Sequence, residues 1–348
     1  MSRPPDAGPV SHRAFYAGRR VLVTGGLGFI GSSLARELVA IDAQVTIVDA
    51  LIPDYGGNLF NIDGIADRVR VEIADVRDAE VVAAAVRSQD VIFNLAGQVS
   101  HIDSMRDPHT DLEINCRAQL SLLEACRAHN PGVKIVFAGT RQVYGRPSSL
   151  PVTEDHLVKP TDVNGINKAA GEYYHLVYNN VFGLRACSLR LTNVFGPRQL
   201  LKHNRQGFIG WFIRLAIEDQ QIQIYGDGSQ VRDLVFVDDA ADAFLRAGAS
   251  DDANGRVFNV GGDEPIAHRA LVERLIEVCG TGRYRCVEWP PEKRAIDIGS
   301  FYADSSLIAR TLGWRPAVAL RDGLQRTVAF YRAHFAQYVP AADRVGAK

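Results

Sequence analysis

Val21-Leu-Val-Thr-Gly25-Gly-Leu-Gly28-Phe-Ile-Gly31 opens on a short apolar, β-branched run and meets its first glycine at once; Ser32 to Ala40 then carries apolar residues at helical spacing. The pattern predicts a strand, a tight turn and a helix. A dinucleotide needs this arrangement, because its pyrophosphate must lie on bare amides at a helix N-terminus, where a side chain at Gly25 or Gly28 would hold it away. Gly31 lets the helix sit close on the strand, and Phe29 and Ile30 complete the expected cofactor contacts of this turn. The spacing Gly-x-x-Gly-x-x-Gly is one residue longer at the front than the usual fingerprint. A second strand, Val45-Thr-Ile-Val-Asp49, ends in an acid at about the twenty-residue distance where a carboxylate holds the adenosine ribose hydroxyls. No Arg follows Asp49 directly, which favours NAD over NADP.

The chain has 348 residues, which suggests one and a half to two lobes. Near-average composition and a formal charge of -1 argue against nucleic-acid or membrane-surface partners and point to a small-molecule ligand. Cys116, Cys126, Cys187, Cys279 and Cys286 form no Cys-x-x-Cys pair and fall mostly in expected helices or strands. They read as reduced packing residues of a cytoplasmic protein, with no metal called for. Met1 to Gly18 holds three prolines and no apolar block, so it reads as a flexible tail and neither a signal peptide nor a membrane anchor. No apolar run approaches membrane-spanning length, and there is no internal repeat.

Further strands are expected at Val69–Ile73, Val91–Leu95 and Val133–Ala138, with a sixth ending at Leu191 and Val257–Gly262 returning to the same sheet. After the third comes Asp75-Val76, placed to meet the adenine amino group or to cap the helix starting near Ala79. After the fourth comes Ala96-Gly97-Gln98, whose first two members are small enough for a cofactor to lie close beyond the strand ends. A long helix from about Pro108 to His129 carries Asn115. The alternation is that of an α/β protein with a doubly wound parallel sheet and helices on both faces. Helices at about 208–217, 267–279 and 320–335 and an edge strand at Ile222–Tyr225 remain for a smaller C-terminal α/β lobe. The tyrosines Tyr173, Tyr174 and Tyr178 read as core or dimer surface.

In these pieces the chain resembles the extended short-chain dehydrogenase/reductase superfamily, in its nucleotide-sugar epimerase/dehydratase branch. Thr24 to Gly31, Asp75-Val76, Leu95-Ala-Gly97, Thr140 before Val143-Tyr-Gly145, Leu191-Thr-Asn193-Val-Phe-Gly-Pro197 and Tyr225 to Asp233 before Val237-Asp-Asp239 stand in the family's order. The resemblance implies a Rossmann domain for NAD over residues 19–197 plus about 233–262. It also implies a nucleotide-sugar lobe over about 198–232 plus 263–338, with 339–348 left as a tail. It implies cofactor contacts from Asp75, Val76, Leu95, Ala96, Gly97, Gln98, Asn115 and Lys168, and a homodimer through helices around 112–129 and 165–181.

In this family a Ser or Thr, a Tyr and a Lys four residues after the Tyr do the chemistry, the Lys lowering the phenol's pKa so that it takes the sugar hydroxyl proton. Here Thr140 and Lys168 stand at the outer two positions, and Asn164 stands where the Tyr is expected. Residues 164 and 168 share a helix face, but an amide does not titrate and is no general base. Three routes remain open. Lys168 could act itself; His101, Lys202, His203 or Tyr144 could substitute; or turnover has been lost, leaving an NAD(H)-binding sensor or regulatory subunit.

Dehydratases of the family carry Asp and Glu after the Thr, whereas this chain has Arg141 and Gln142, which disfavours water elimination. The expectation is therefore NAD-dependent epimerisation at C4, with dehydration or inversion at C3 or C5 as alternatives on the same scaffold, the latter needing an acid/base pair such as Lys202 and His101. On the substrate side the expected contacts are Ser100, His101, Thr140, Arg141 and Gln142 around the sugar, and Asn193 at the sugar or pyrophosphate. Tyr225 is expected on the nucleobase and Arg232 as a guanidinium fork on the diphosphate, unless it pairs with Asp227 or Asp233 instead. Arg294 with Asp297 matches a second phosphate and ribose position.

Overall fold

The computed structural model describes residues 12–52 and 54–343. Seven parallel strands form one sheet. In chain order they are β1 (Arg20–Thr24), β2 (Gln44–Asp49), β3 (Val69–Ile73), β4 (Val91–Asn94), β5 (Lys134–Thr140), β6 (Arg185–Leu191) and Val257–Val260. Their spatial order is Val257–Val260, β6, β5, β4, β1, β2, β3. The chain winds outward one way from β1 and the other way from β4, so the order reverses between these two neighbours.

Alternation along β1 shows why both faces are covered. Val21 and Val23 pack under α1 (Phe29–Ala40) and Val237–Ala249 with Leu34, Leu38 and Phe244, while Leu22 packs on the opposite face with Val82, Leu122 and Cys126. That second layer is built from α2 (Ala79–Ala85), α5 (Ala118–His129) and α6 (Val163–Phe182), once α3 (His101–Arg106) and α4 (Pro108–Leu112) have been passed. Asp78, not Asp75, caps α2, its carboxylate accepting from the amides of Glu80 and Val81. The long helix expected from Pro108 to His129 is interrupted: a π-helical turn over Glu113–Arg117 separates α4 from α5.

The smaller lobe has its own core, in which Phe212, Ile213 and Leu215 of α7 (Phe208–Ile217) meet Leu271 and Leu275 of His268–Cys279 and Leu324, Val328 and Tyr331 of Leu320–Tyr338. Gln221–Tyr225, expected at an edge, pairs in parallel with Arg283–Val287, a strand that the sequence reading did not foresee. Three segments depart from the expected partition. Ile308 and Trp314 join the core of the large sheet, Trp314 donating Nε1–H to Asp239 O at 2.9 Å. Of the expected N-terminal tail, residues 1–11 lie outside the described residues, but Tyr16 is fully buried and donates its hydroxyl to Leu245 O at 2.7 Å. At the other end Val339 is buried and Ala341–Asp343 forms a helical turn; 344–348 lie outside the described residues. Among the described residues no helix is long and apolar enough to cross a membrane.

Candidate active site

A crevice opens beyond the carboxyl ends of β1 and β4, where doubly wound sheets bind ligands. It holds a cavity of about 450 Å³. Gly25 turns the chain at φ +70°, and a Cβ there would lie 3.0 Å from Ala96 Cα. A Cβ on Gly31 would lie 2.2 Å from Gly25 O, so only glycine lets α1 approach the turn this closely. Gly28 caps α1 without a side chain, and Gly25, Gly28, Phe29, Ile30 and Gly31 all line the cavity as expected. So do Asp49, Asp75, Val76, Leu95, Ala96 and Gly97. Asp49 accepts from the amides of Leu27 at 3.0 Å and Leu51 at 2.8 Å; burial raises its pKa and these bonds pull against the rise. Asp75 is gripped by Arg77, which holds it below the usual carboxylate range.

A Cβ on Gly97 would lie 2.8 Å from Asn115 Oδ1 and 3.0 Å from Lys168 Nζ. Asn115 Oδ1 is buried and has no partner among the described residues. Lys168 donates to Ala138 O at 3.0 Å; burial brings its pKa down to about 8, with Asp111 offsetting part of the fall. The bare glycine cradle, the acid at the end of β2 and an amide oxygen left without a donor fit a bound NAD.

The asparagine at the Tyr position belongs to a cluster centred on Asp111, a residue the sequence reading missed. Asp111 Oδ2 accepts from Asn164 Nδ2 at 3.0 Å and Asn115 Nδ2 at 3.1 Å, and Oδ1 accepts from Asn167 Nδ2 at 2.7 Å. Asn164 Nδ2 also reaches Gln98 O at 2.8 Å. Its donors are thus committed to the protein. Gln98, expected on the cofactor, is buried and closes on Ser100, accepting its amide at 2.8 Å and donating to its carbonyl at 3.0 Å. Ser100, expected on the sugar, is fully buried and caps α3.

Thr140, His101, Asn164, Lys168, Arg141 and Asn193 line the cavity together. His101 Nδ1 lies 3.1 Å from Asp162 Oδ2, close enough for an ion pair though out of line for a hydrogen bond. Asp162 is the N-cap of α6, accepting from the amide of Gly165 at 2.7 Å, and it also accepts from Gln142 Nε2 at 2.7 Å. Burial alone would raise its carboxyl; His101 and the other donors outweigh that and hold it below the usual range. Gln142 is therefore turned to Asp162 and does not line the cavity. Tyr144 is withdrawn too: it donates to Asn259 Oδ1 at 2.7 Å, and burial lifts its pKa to about 12.

Lys202 also belongs elsewhere. Its Nζ lies 3.0 Å from Asp54 Oδ1, and Arg205 Nη2 lies 2.9 Å from Asp54 Oδ2. Gln206 Nε2 donates to Asp54 O at 2.9 Å, and His203 Nε2 is 3.2 Å from the same oxygen. Gly56, Gly57, Gln206 and Gly207 line the cavity, so these contacts clasp two loops across the cleft.

At the nucleotide end Tyr225 and Trp289 stand 5.3 Å apart, ring centre to ring centre, and Lys293 donates to the Tyr225 hydroxyl at 2.8 Å. With Trp211 and His268 they line a second cavity of about 300 Å³, which shares Phe208 with the first. Arg232 is buried and lines neither cavity. Its Nη1 donates to Val231 O at 2.9 Å and Gly299 O at 2.5 Å, and Nη2 lies 3.7 Å from Asp297, not from Asp227 or Asp233. Asp297 also accepts from Gln230 and the Gly299 amide. Arg294 is exposed on Pro291–Ile296.

A family model described as "NAD dependent epimerase/dehydratase family" matches residues 21–261. The chain is 34% identical over 90% of its length and 98% of the relative's to a UDP-glucose 4-epimerase of Mycolicibacterium smegmatis. It is 33% identical to a dTDP-glucose 4,6-dehydratase of Streptomyces griseus, over 92% of this chain and 96% of that one. Its fold is similar to the crystal structure of the Thermus thermophilus UDP-glucose 4-epimerase complex with NAD, at TM-score 0.80 and 33% identity over 90% of this chain and 99% of the other. With the glycine cradle, the sheet order and these likenesses in agreement, the chain belongs to the NAD dependent epimerase/dehydratase family.

Proposed function

We propose that this chain inverts C4 of a nucleoside-diphosphate sugar through a transient 4-keto sugar, with NAD held as a resident cofactor. The observation that carries the reading is the convergence of Thr140, Lys168 and His101 on the cavity that begins at the glycine turn. NAD, when bound, supplies a reversible hydride acceptor; Gly25, Gly28, Asp49, Gly97, Asn115 and Lys168 are the residues that would hold it.

The chain must then take the proton of the sugar hydroxyl without a phenol at position 164. Asp49 and Asp75 line the adenosine end, and Tyr55, which also lines the cavity, has its pKa raised by burial and by Asp103, Asp107 and Asp111. Lys168 is tied to Ala138 O. His101 is the base that remains, with Nδ1 toward Asp162 and Nε2 left to accept the proton; the carboxylate then steadies the imidazolium. Thr140 Oγ1, which among the described residues accepts from the Gln142 amide at 3.2 Å, keeps its own proton to donate to the sugar oxygen. When the ketone is reduced on its other face, His101 returns the proton.

Dehydration is disfavoured because Gln142 is bonded to Asp162 and Arg141 only donates. The second cavity, with its Tyr225–Trp289 pair, suits a nucleobase. A homodimer through α5 and α6 fits the exposed Ile166, Val177, Val181 and Phe182. Five free cysteines fit a reducing, cytoplasmic setting.

The test is to denature purified protein and look for released NAD, then incubate it with UDP-, GDP-, CDP-, ADP- and dTDP-sugars and separate the products by chromatography. An isomer of unchanged mass is expected, lost in His101→Phe while the NAD content stays. Activity that appears only in Asn164→Tyr would leave the natural chain as a binding protein.

A further inference from the structure

Arg141 leaves the end of β5 directly after Thr140. Its guanidinium is fixed on two sides, with Nη2 donating to Asn193 Oδ1 at 3.1 Å and Cζ standing 5.4 Å from the centre of the Phe301 ring. Asn193 is itself anchored, its Nδ2 donating to Asp233 O at 3.1 Å. The other branch, Nη1, is buried and has no partner among the described residues. Burial works against the charge and Arg232 pushes the same way; Asp233, Asp297 and Asp162 offset part of this from a distance.

Arg232 makes the contrast. Its Nη1 is spent on two carbonyls and its Nη2 faces Asp297; its Nε is also buried without a partner among the described residues, but Arg232 lines neither cavity, whereas Arg141 lines the first. No carboxylate among the described residues forms an ion pair with Arg141. A fixed, buried N–H on a charged group with nothing to bind is costly and calls for a partner, which beside a cavity can be a ligand as well as a water or ion. The residue beside Thr140 lies at the sugar end of the cavity, while the aromatic pair Tyr225 and Trp289 lies in the other one.

We propose that Arg141 receives a carboxylate carried by the sugar, so that the substrate is a nucleoside-diphosphate uronate. The proposal rests on the nucleotide-sugar reading of the site. A carboxylate meets both needs of Nη1 at once, charge and a hydrogen-bond acceptor, where a sugar hydroxyl meets one. Asn193 and Phe301 hold the guanidinium in place beforehand, so little ordering is needed on binding.

The test is calorimetric titration of the full-length protein with matched pairs, UDP-glucuronate against UDP-glucose and dTDP-glucuronate against dTDP-glucose, with UDP alone as reference. The uronate of at least one pair should bind roughly tenfold tighter or more than its neutral partner. Arg141→Gln should remove that difference and leave UDP binding unchanged, and Arg141→Lys, which keeps the charge, should restore part of it. Equal affinities within each pair in the wild type overturn the proposal without touching the nucleotide-sugar reading. A preference that survives Arg141→Gln overturns it as well. If Arg141→Gln weakens UDP as much as UDP-glucuronate, the anion is the β-phosphate and the uronate is wrong. If neither member of either pair binds, this proposal fails; if no nucleotide sugar of the wider panel binds either, the functional reading fails with it.

Discussion

Asp111→Asn keeps the size of the side chain and removes its charge, and three amides lose a carboxylate acceptor: those of Asn115, Asn164 and Asn167. A hydrogen bond to a charged group contributes about 1.5–3 kcal/mol and a neutral one about 0.5–1.5, so the three together lose about 3 kcal/mol. The new –NH2 must also face at least one of these donors, which strands a buried polar group at a further cost of about 1–3 kcal/mol. A neutral amide is easier to bury than a carboxylate, which returns part of this and leaves a loss of about 4 kcal/mol. With an unfolding entropy of about 2.1 cal/mol/K per residue over 348 residues, or about 0.7 kcal/mol/K, Tm should fall by about 5–6 °C. Scanning calorimetry at pH 7 reads this directly. NAD content should fall in the same variant, because Asp111 is what turns Asn115 Oδ1 toward Gly97. A Tm within about 1 °C of the wild type would refute the assignment of Asp111 as the hub of this cluster.

Lys168→Met should reveal the cost of a buried ammonium. Its folded pKa of about 8 lies below the ordinary value of about 10.4, so between these the unfolded chain binds more protons and the wild type gains stability as pH rises; below about 8 it carries the full cost. In ligand-free protein the variant should be more stable at pH 7 by up to about 3 kcal/mol, an advantage gone near pH 10.5, and urea melts showing a difference independent of pH would contradict this. Val177→Glu combined with Val181→Glu places two charges on the exposed apolar face of α6, where these residues are 49% and 66% exposed. Light scattering should then find a monomer in place of a dimer, and a wild type that is already monomeric removes the argument.

The strands were legible because each carries its own apolar run and its own turn signal, and the sheet order follows from their alternation with helices. Arg283–Val287 escaped because its residues are mostly polar and its partner, Gln221–Tyr225, lies far off in sequence. The placement of the glycine turn, Asp49, Gly97, Thr140 and Lys168 at the cavity was readable because each follows a strand end or keeps a fixed spacing. Gln98, Ser100 and Gln142 were misassigned for one reason: spacing places a residue near the crevice but does not say that its polar atoms are already consumed by neighbours. Lys202 was misread similarly, since its partner Asp54 comes from a remote loop. Asp111 and Asp162 were missed because their partners converge only in the folded chain. Asp111 did carry a faint signal, standing four residues before Asn115.

The contacts that Asp54 makes to Lys202, His203, Arg205 and Gln206 join two loops whose neighbours Gly56, Gly57 and Gly207 line the cavity. A coenzyme leaving between these loops would have to wait for several weak bonds to break at once, so its residence time would be set by a latch as well as by its own grip. A molecule sealed in this way behaves less like a co-substrate than like a fixed electrode, charged and discharged by the same guest within one visit.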